Sequence, residues 1–341
     1  MTPFEHGGDV TAFAKACGCE VTEVIDLSSN INFVKPSIEV DFNALDIAPY
    51  PNYDTLYEAI ASHYDVEVDE LELFNGGSSA IFTLFRHFKD SHKELPLHCT
   101  IYSPAYLEYK KAAEVFGYEV DIIDRFNNFN AEVKEGSLVV FVNPSTPDGC
   151  YYNMDNLLKK WIAKKCTILV DESFLEFTDK PSVSNHIKNY DKIYILKSMT
   201  KFYGAAGIRI GTLISNNINI ETLRHFEPAW KLSSFDSHYI QEAIKDKTLF
   251  PRTHEIVQNN RTKLIKILGQ SKYVEKVLPS AANYLLVKLR GITAHTLQGK
   301  LIPFKILIRN CANFDGLDSS YVRIAIKELQ SIEALKKALD A

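Results

Sequence analysis

Short apolar runs alternate with helical patterns between about Leu71 and Ser215. Several runs are almost continuous in Val, Ile and Leu, which is typical of parallel strands covered on both faces. We predict strands at His98–Tyr102, Glu119–Ile123, Leu138–Val142, Thr167–Val170, Lys192–Leu196 and Ile210–Ile214. We predict helices between them at Ala80–Phe88, Ala105–Phe116 and Met154–Lys164. This alternation predicts an α/β fold with a mostly parallel sheet, and ligands bind at the carboxyl ends of such strands.

The pattern changes after about Phe226. Two helical stretches, Ser234–Lys245 and Pro251–Gly269, come first, and a helical pattern near Ser331–Leu339 closes the chain. Between them we predict strands at Tyr273–Leu278, Tyr284–Leu289, Lys305–Arg309 and Tyr321–Ile326. We therefore expect a large domain at 35–228 and a smaller α+β domain at 229–341. The N-terminal segment 1–34 is expected to pack with the smaller domain.

Composition narrows the possible partners. The 341 residues carry 43 acidic and 38 basic side chains, a net charge of −5, which gives no reason to expect nucleic acid or an anionic membrane surface as a partner. No run approaches the roughly 18 apolar residues of a membrane helix, and the first residues lack a signal-peptide pattern. We expect a cytoplasmic protein. Cys17 and Cys19 stand close together, but no second Cys or His pair follows at ligand spacing, so no metal site is expected.

The first motif with candidate chemistry is the run KSMTK, which ends at Lys201 directly after a predicted strand. A lysine buried in a cleft has a lowered pKa, and its neutral amine attacks aldehydes. Ser198 and Arg209 flank it, and a hydroxyl and a guanidinium together suit a phosphate dianion. Taken alone, a lysine at this position is more typical of an exposed surface.

Three further motifs lie beside predicted strands and helices. Asp171 ends a buried strand, where a carboxylate could hold a protonated ring nitrogen or could cap a helix. The run NGGSS, with Gly76, Gly77 and Ser78, precedes a helix whose N-terminus could bind phosphate, although such a run can also be a plain turn. The run NPSTPDG begins at Asn143 and is a rigid turn, whose first side chain could donate to an oxygen on a bound ring.

Together and in this order, the motifs resemble those of fold type I pyridoxal 5′-phosphate (PLP) enzymes of the aminotransferase superfamily. The runs HGG at 6–8, DLSSNIN at 26–32, ILIRNCANF at 306–314 and YVRIAI at 321–326 narrow the resemblance. They are similar to the L-threonine-O-3-phosphate decarboxylase family of cobalamin biosynthesis. The resemblance spans nearly the whole chain and implies the PLP-dependent transferase-like fold, with a mostly parallel sheet between helices and a smaller α+β domain.

For the cofactor, the resemblance implies a role for each matched position. Lys201 would carry PLP as a Schiff base, and Asp171 would pair with the pyridine nitrogen. Asn143 would bond the phenolic oxygen, and Tyr106 would stack on the ring. Tyr50 would reach the cofactor phosphate from the other subunit of a homodimer. The remaining phosphate-binding positions are Gly76, Gly77, Ser78, Ser198 and Arg209.

For the substrate, the resemblance implies a small phospho amino acid. Arg323 would bind its carboxylate, and His6, Asn30 and Arg309 would line the pocket for its phosphate. Phe174 stands at a position that is often aromatic in relatives and receives no catalytic role.

The sequence also departs from the family pattern. NPSTPDG replaces the usual NPNNPTG, although Asn143 and Gly149 are kept. Ala205 and Ala206 precede Gly207 where relatives often have a proline, which changes the stiffness of this loop but keeps the spacing from Lys201 to Arg209.

Three functions are consistent with these residues. We expect decarboxylation of L-threonine O-3-phosphate or L-serine O-phosphate, and one methyl group is too small a difference for the sequence to choose between them. Histidinol-phosphate aminotransferase, the sister family, shares the cofactor motifs, because the two reactions differ only in how the substrate is held. The third possible function is a non-catalytic binding or regulatory module with the same fold. The intact Lys201, Asp171 and Arg209 argue against it.

Overall fold

A computed structural model describes residues 7–91 and 97–341. Strands and helices are distributed over both ranges. The strands in chain order are β1 Ile25–Asp26, β2 Leu71–Asn75, β3 His98–Ser103, β4 Glu119–Asp124, β5 Leu138–Val142, β6 Thr167–Asp171, β7 Ile193–Ser198, β8 Ile210–Ile214, β9 Val274–Val277, β10 Tyr284–Leu289, β11 Ile306–Leu307, β12 Arg309–Asn310 and β13 Tyr321–Ala325. The α-helices are α1 Val10–Cys17, α2 Asp54–Tyr64, α3 Gly76–Ser91, α4 Leu107–Val115, α5 Asp155–Ala163, α6 Met199–Phe202, α7 Asn217–Arg224, α8 Ser234–Lys245, α9 Leu249–Gln270, α10 Ala294–Leu301 and α11 Leu329–Asp340.

The central sheet has seven strands in the order β2-β8-β7-β6-β5-β3-β4. From β4 to β7 all neighbours are parallel, whereas β8 runs antiparallel to both β7 and β2. The mostly parallel sheet is therefore confirmed, and each strand predicted in this sheet lies within two residues of its observed bounds. β2 is an additional strand that we did not predict.

Both faces of the inner strands β5 to β8 are buried. Along β5, Val139 and Phe141 belong to one hydrophobic cluster, and Leu138, Val140 and Val142 belong to the other. This alternation follows from the two-residue period of a strand, with helices covering each face. Since full burial of one such side chain contributes about 1.5–3 kcal/mol, the central strands form a rigid support for residues at their carboxyl ends.

The C-terminal part of the chain forms a four-stranded antiparallel sheet in the order β12-β13-β10-β9. One prediction is wrong here, because the expected strand Lys305–Arg309 is two short strands in different sheets. β11 pairs in parallel with β1, whereas β12 pairs with β13. The side chain of Gln298 explains the break, since it accepts from the N–H of Ile308 at 2.9 Å and donates to the carbonyl of Ile306 at 2.8 Å.

The N-terminal segment is hydrogen-bonded to these C-terminal strands. The N–H of Leu27 donates to the carbonyl of Leu307, and the carbonyl of Leu27 accepts from the N–H of Ala325, both at 2.8 Å. These bonds hold Leu27 against the C-terminal strands, and the N–H of Asn32 then donates to the carbonyl of Lys201, just after β7, at 3.0 Å. The domain boundaries at 34/35 and 228/229 stay a prediction. No helix in the described ranges is both long and apolar enough to cross a lipid bilayer.

Candidate active site

A cavity of about 340 Å³ lies beside the carboxyl ends of β6 and β7. Its walls come from the central sheet, the N-terminal segment and the C-terminal sheet. The predicted cofactor residues in its walls are Gly77, Ser78, Tyr106, Asp171, Ser198, Lys201 and Arg209. The predicted substrate residues in its walls are Asn30, Arg309 and Arg323. The structure thus brings together side chains that are almost 300 residues apart in the sequence.

Lys201 lies on α6, a single helical turn that follows β7 directly. Desolvation of this partly buried amine and the positive charges of Arg323 and Arg209 lower the pKa of Lys201 to about 8. Asp171 opposes this shift but does not cancel it. An amine with this pKa is substantially neutral near pH 8, and the neutral form is the nucleophile that condenses with an aldehyde.

Asp171 is the last residue of β6 and is buried. Its carboxylate accepts from the hydroxyl of Tyr109 at 2.7 Å on one oxygen. The other oxygen accepts from Ser173, at 2.9 Å from the main-chain N–H and at 2.5 Å from the hydroxyl. Burial raises the pKa of Asp171, whereas these donors and the Lys201 ammonium counteract the rise. A buried carboxylate held in this way suits the protonated nitrogen of a heterocycle.

The start of α3 forms a phosphate-sized cradle with β8. Gly76 has φ +77°, and a Cβ atom there would overlap the guanidinium of Arg209. A Cβ on Gly211 would come within 2.6 Å of the N atom of Gly77. Only glycine permits this close approach, which brings Arg209 to the free N–H groups of the first helical turn. Backbone N–H groups and a guanidinium are the donors that hold a phosphate.

Hydroxyl groups complete the cradle. The hydroxyls of Ser78 and Tyr106 lie 3.2 Å apart, and those of Ser198 and Thr200 lie 3.0 Å apart. All four residues line the cavity. These hydroxyls can each donate to or accept from a bound group, so the donor set fits a phosphate ester attached to an aromatic ring.

Two arginines form the opposite wall. Arg323 donates to the carbonyl of Ser28 at 2.9 Å and to the hydroxyl of Thr146 at 3.2 Å, and its Nε atom is buried without a hydrogen-bond partner. Arg309 donates to Asn313 at 2.9 Å, and its guanidinium lies 5.3 Å from the ring centre of Phe314. Burial lowers the pKa of Arg323. Guanidinium groups placed in this way suit a substrate with anionic groups.

The family model for class I and II aminotransferases matches residues 22–341. The chain belongs to the class I and II aminotransferase family. Its structure has the type I fold of PLP enzymes, and membership of this family indicates PLP as the cofactor.

Two relatives and one solved structure show how the chain sits within the family. A putative threonine-phosphate decarboxylase from Caldanaerobacter subterraneus subsp. tengcongensis is 28% identical, over 99% of this chain and 94% of its own length. A histidinol-phosphate aminotransferase from Methanocaldococcus jannaschii is 26% identical, over 100% and 95%. The structure of histidinol-phosphate aminotransferase from Clostridium acetobutylicum has a TM-score of 0.80 at 29% identity, covering 92% of this chain and 97% of that one. Decarboxylases and aminotransferases of this family are therefore about equally similar to the chain.

Several residues predicted from the family motifs do not line the cavity. The carboxamide of Asn143 donates to the carbonyl of Tyr152 at 3.0 Å and accepts from its N–H at 2.9 Å. Tyr50 is exposed and stacks on Trp230 with ring centres 4.0 Å apart. Gly76 packs against Arg209 at the start of the cradle but does not itself line the cavity. His6 lies outside the described residues.

Sequence reasoning missed residues that support the family motifs. Ser173 could have been found, since an Asp-x-Ser spacing favours a local side-chain turn. Thr200 stands between Ser198 and Lys201 in the same motif. No local motif points to Tyr109, because the residue that it contacts, Asp171, is 62 residues away in the sequence.

Proposed function

We propose that the chain is a cytoplasmic PLP-dependent carboxy-lyase that decarboxylates L-threonine O-3-phosphate or L-serine O-phosphate. The product is an amino-alcohol phosphate, the linker of the cobalamin nucleotide loop. The observation that carries the proposal is the pair of buried guanidiniums of Arg309 and Arg323, which line the same cavity as Lys201. A phospho amino acid has two anionic groups, and each guanidinium can hold one of them.

The cavity also fits the cofactor. The cradle of Gly76, Gly77, Ser78, Ser198 and Arg209 would hold its phosphate. Lys201 would carry it covalently, Asp171 would bond its ring nitrogen and Tyr106 would pack on its ring. Asn143 would reach the phenolic oxygen through the amide hydrogen that Tyr152 does not use. When bound, PLP supplies an aldehyde for the substrate amine and a ring that accepts the electron pair left by departing CO₂.

The protein's own residues would select which bond breaks. Arg323 would hold the carboxylate, and Arg309 with Asn30 and His6 would hold the phosphate, so that the bond to the carboxylate stands perpendicular to the ring. Asp171 would keep the ring nitrogen protonated. Lys201 would hold a proton near Cα after CO₂ leaves, since an amine with a pKa of about 8 can both give and take a proton near neutrality.

The N-terminal glycines favour a small substrate. A Cβ on Gly7 would lie 3.0 Å from both the Cδ atom of Arg309 and the carbonyl oxygen of Ser28, so the segment packs directly on this wall. The N–H of Gly8 donates to the hydroxyl of Ser28 at 2.9 Å. A segment this close to Arg309 limits the length of a substrate whose phosphate binds there.

The alternative function is that of a histidinol-phosphate aminotransferase. The Methanocaldococcus jannaschii enzyme of that name, which is 26% identical over 100% of this chain, favours it. One experiment separates the two. The PLP-loaded protein is incubated with L-threonine O-phosphate or L-serine O-phosphate, and released CO₂ is measured; a parallel sample receives histidinol phosphate with 2-oxoglutarate, and glutamate is measured. We expect CO₂ from a phospho amino acid and no glutamate. Glutamate without CO₂ would refute the decarboxylase, and Lys201→Ala is the inactive control.

We also propose that the protein acts as a homodimer in which Tyr50 reaches the cofactor phosphate of the partner subunit. Tyr50 and Trp230 are both exposed, and their stacked rings form an apolar patch on the surface of the subunit. Sedimentation of the PLP-loaded protein should give a dimer. A monomer with full activity would contradict this part of the proposal.

A further inference from the structure

The segment Ser28–Asn32 connects the C-terminal strands to the turn that carries Lys201. On the C-terminal side, three of its carbonyls accept side-chain bonds of 2.9 Å each: Ser28 from Arg323, Asn30 from Asn283 and Ile31 from Lys327. Each of these carbonyls accepts from a different residue of the C-terminal part. The segment is thus fixed relative to Arg323.

At its other end, the segment binds α6 through Asn32. The N–H of Asn32 donates to the carbonyl of Lys201 at 3.0 Å. Its carboxamide donates to the carbonyl of Phe202 at 2.8 Å and to the hydroxyl of Thr253 at 3.1 Å, and accepts from the N–H of Val34 at 3.1 Å. Asn32 is 1% exposed, so its main-chain N–H and its carboxamide are buried and hydrogen-bonded.

α6 needs this support because it is only four residues long. So short a helix has almost no internal hydrogen-bond ladder, and the local bonds to the carbonyls of Thr200 and Lys201, from Ala205 and Gly204, are both long at 3.3 Å. Asn32 supplies donors to two consecutive carbonyls, those of Lys201 and Phe202. The main chain of Lys201 is therefore held by the same segment that binds Arg323.

We propose that Asn32 is a positioning residue that fixes Lys201 relative to the carboxylate-binding side of the cavity. The inference rests on the proposed role of Lys201 as the cofactor-bearing lysine. Asn32 does not react. Its side chain acts through the carbonyl of Phe202, next to Lys201, while its main-chain N–H holds the carbonyl of Lys201 itself. A small displacement of the amine from its productive position costs up to about 100-fold in rate, whereas substrate affinity depends on the arginine wall.

The test compares Asn32→Ala, which removes the carboxamide bond to the carbonyl of Phe202 but keeps the main-chain bond to Lys201, with Thr253→Val. Thr253→Val removes a polar partner of the same carboxamide, at a residue as buried as Asn32, but leaves both bonds to α6 in place. We expect Asn32→Ala to lower kcat about 10- to 100-fold with KM unchanged within about twofold, and Thr253→Val to leave both within about twofold. Urea unfolding of each variant confirms that it is folded, and Asn32→Ser replaces Asn32→Ala if the latter does not fold.

A second measurement does not depend on turnover. Borohydride reduction traps PLP on the lysine that carries it, and peptide mass spectrometry quantifies the trapped fraction at limiting PLP. We expect less trapping on Lys201 in Asn32→Ala than in Thr253→Val. If the native protein shows no trapping on Lys201, the proposed function fails. If it shows trapping but the two variants behave alike in both measurements, only the positioning role of Asn32 is refuted.

Discussion

Arg309 on β12 and Arg323 on β13 are directly opposite each other in the antiparallel pairing. Side chains in opposite positions lie on the same face, and like charges there repel. Both residues are buried, and in the described part of the chain the hydrogen bonds of Arg323 go to neutral oxygens of Ser28 and Thr146. An anionic substrate bound between the guanidiniums would offset the repulsion, so their placement favours ligand binding over stability.

Replacing Arg323 with lysine should weaken substrate binding without loss of the cofactor. Arg323→Lys keeps the charge but loses the forked geometry that matches a carboxylate. We expect KM for the phospho amino acid to rise about tenfold or more, which corresponds to about 1.4 kcal/mol. Steady-state kinetics measures this, and the visible absorbance of bound PLP should be unchanged. Arg290→Lys, at an exposed position, is the control, and equal KM values for the two variants would contradict the prediction.

The lowered pKa of Lys201 predicts how PLP loading depends on pH. The neutral amine is the reactive form, so the loading rate of cofactor-free protein should rise with pH and level off above the pKa of about 8. A lysine in water would show a rise that continues toward about pH 10.4. Stopped-flow absorbance measures the rate. Lys201→Ala should show no such loading, and a rate that still rises well above pH 9 in the native protein would be evidence against the lowered pKa of this amine.

Strands β5 to β8 could be predicted because each contains a short, buried apolar run. β2 could not, because Glu72 interrupts its apolar pattern although it is completely buried. Arg224, at 2.8 Å, and Lys231 neutralise Glu72 from positions more than 150 residues later. Ion-pair partners that far away in the sequence leave no local pattern by which a buried glutamate could be predicted. The antiparallel direction of β8 is also set by tertiary contacts and has no local sequence pattern.

The site was predictable where chemistry follows a motif and less so where contacts are tertiary. Lys201, Asp171 and Arg209 each stand in or near a short motif, and the structure places all three around one cavity. Asn143 was expected to face the cofactor, but its carboxamide is mostly used to hold the main chain of Tyr152. Sequence spacing gives the position of such a side chain but not the direction in which its hydrogen bonds go.

Removal of the Tyr109 hydroxyl should change the pH dependence of the reaction. Tyr109 donates to the buried carboxylate of Asp171, and this bond favours the charged form. Tyr109→Phe should therefore raise the pKa of Asp171 further, and the acidic limb of the kcat profile should move to higher pH. A bond to a charged group contributes about 1.5–3 kcal/mol, so kcat should also fall at least about tenfold.

Tyr118→Phe, which removes a buried hydroxyl bonded to the carbonyl of Phe85, should leave the profile unchanged. Identical pH profiles for the two variants would show that Tyr109 does not tune Asp171.

Glu172 and Lys197 form a buried ion pair behind the cavity, with an N–O distance of 2.5 Å. Glu172 directly follows Asp171, the last residue of β6, and Lys197 directly precedes Ser198 on the neighbouring β7. Glu172 also accepts from the N–H of Val183 at 2.9 Å. Loss of one partner leaves an uncompensated buried charge, so Lys197→Met should lower the free energy of unfolding by about 3–5 kcal/mol.

The double variant Glu172→Gln with Lys197→Met should recover much of this loss, because it removes both charges and keeps an acceptor for Val183. Urea unfolding followed by tryptophan fluorescence measures all three proteins. Lys288→Met removes one partner of the exposed pair with Glu275 and should have little effect, since exposed ion pairs contribute little to stability. If the single variant at Lys197 is as stable as the native protein, or the double variant is less stable than the single one, the buried pair is not held together as its geometry indicates.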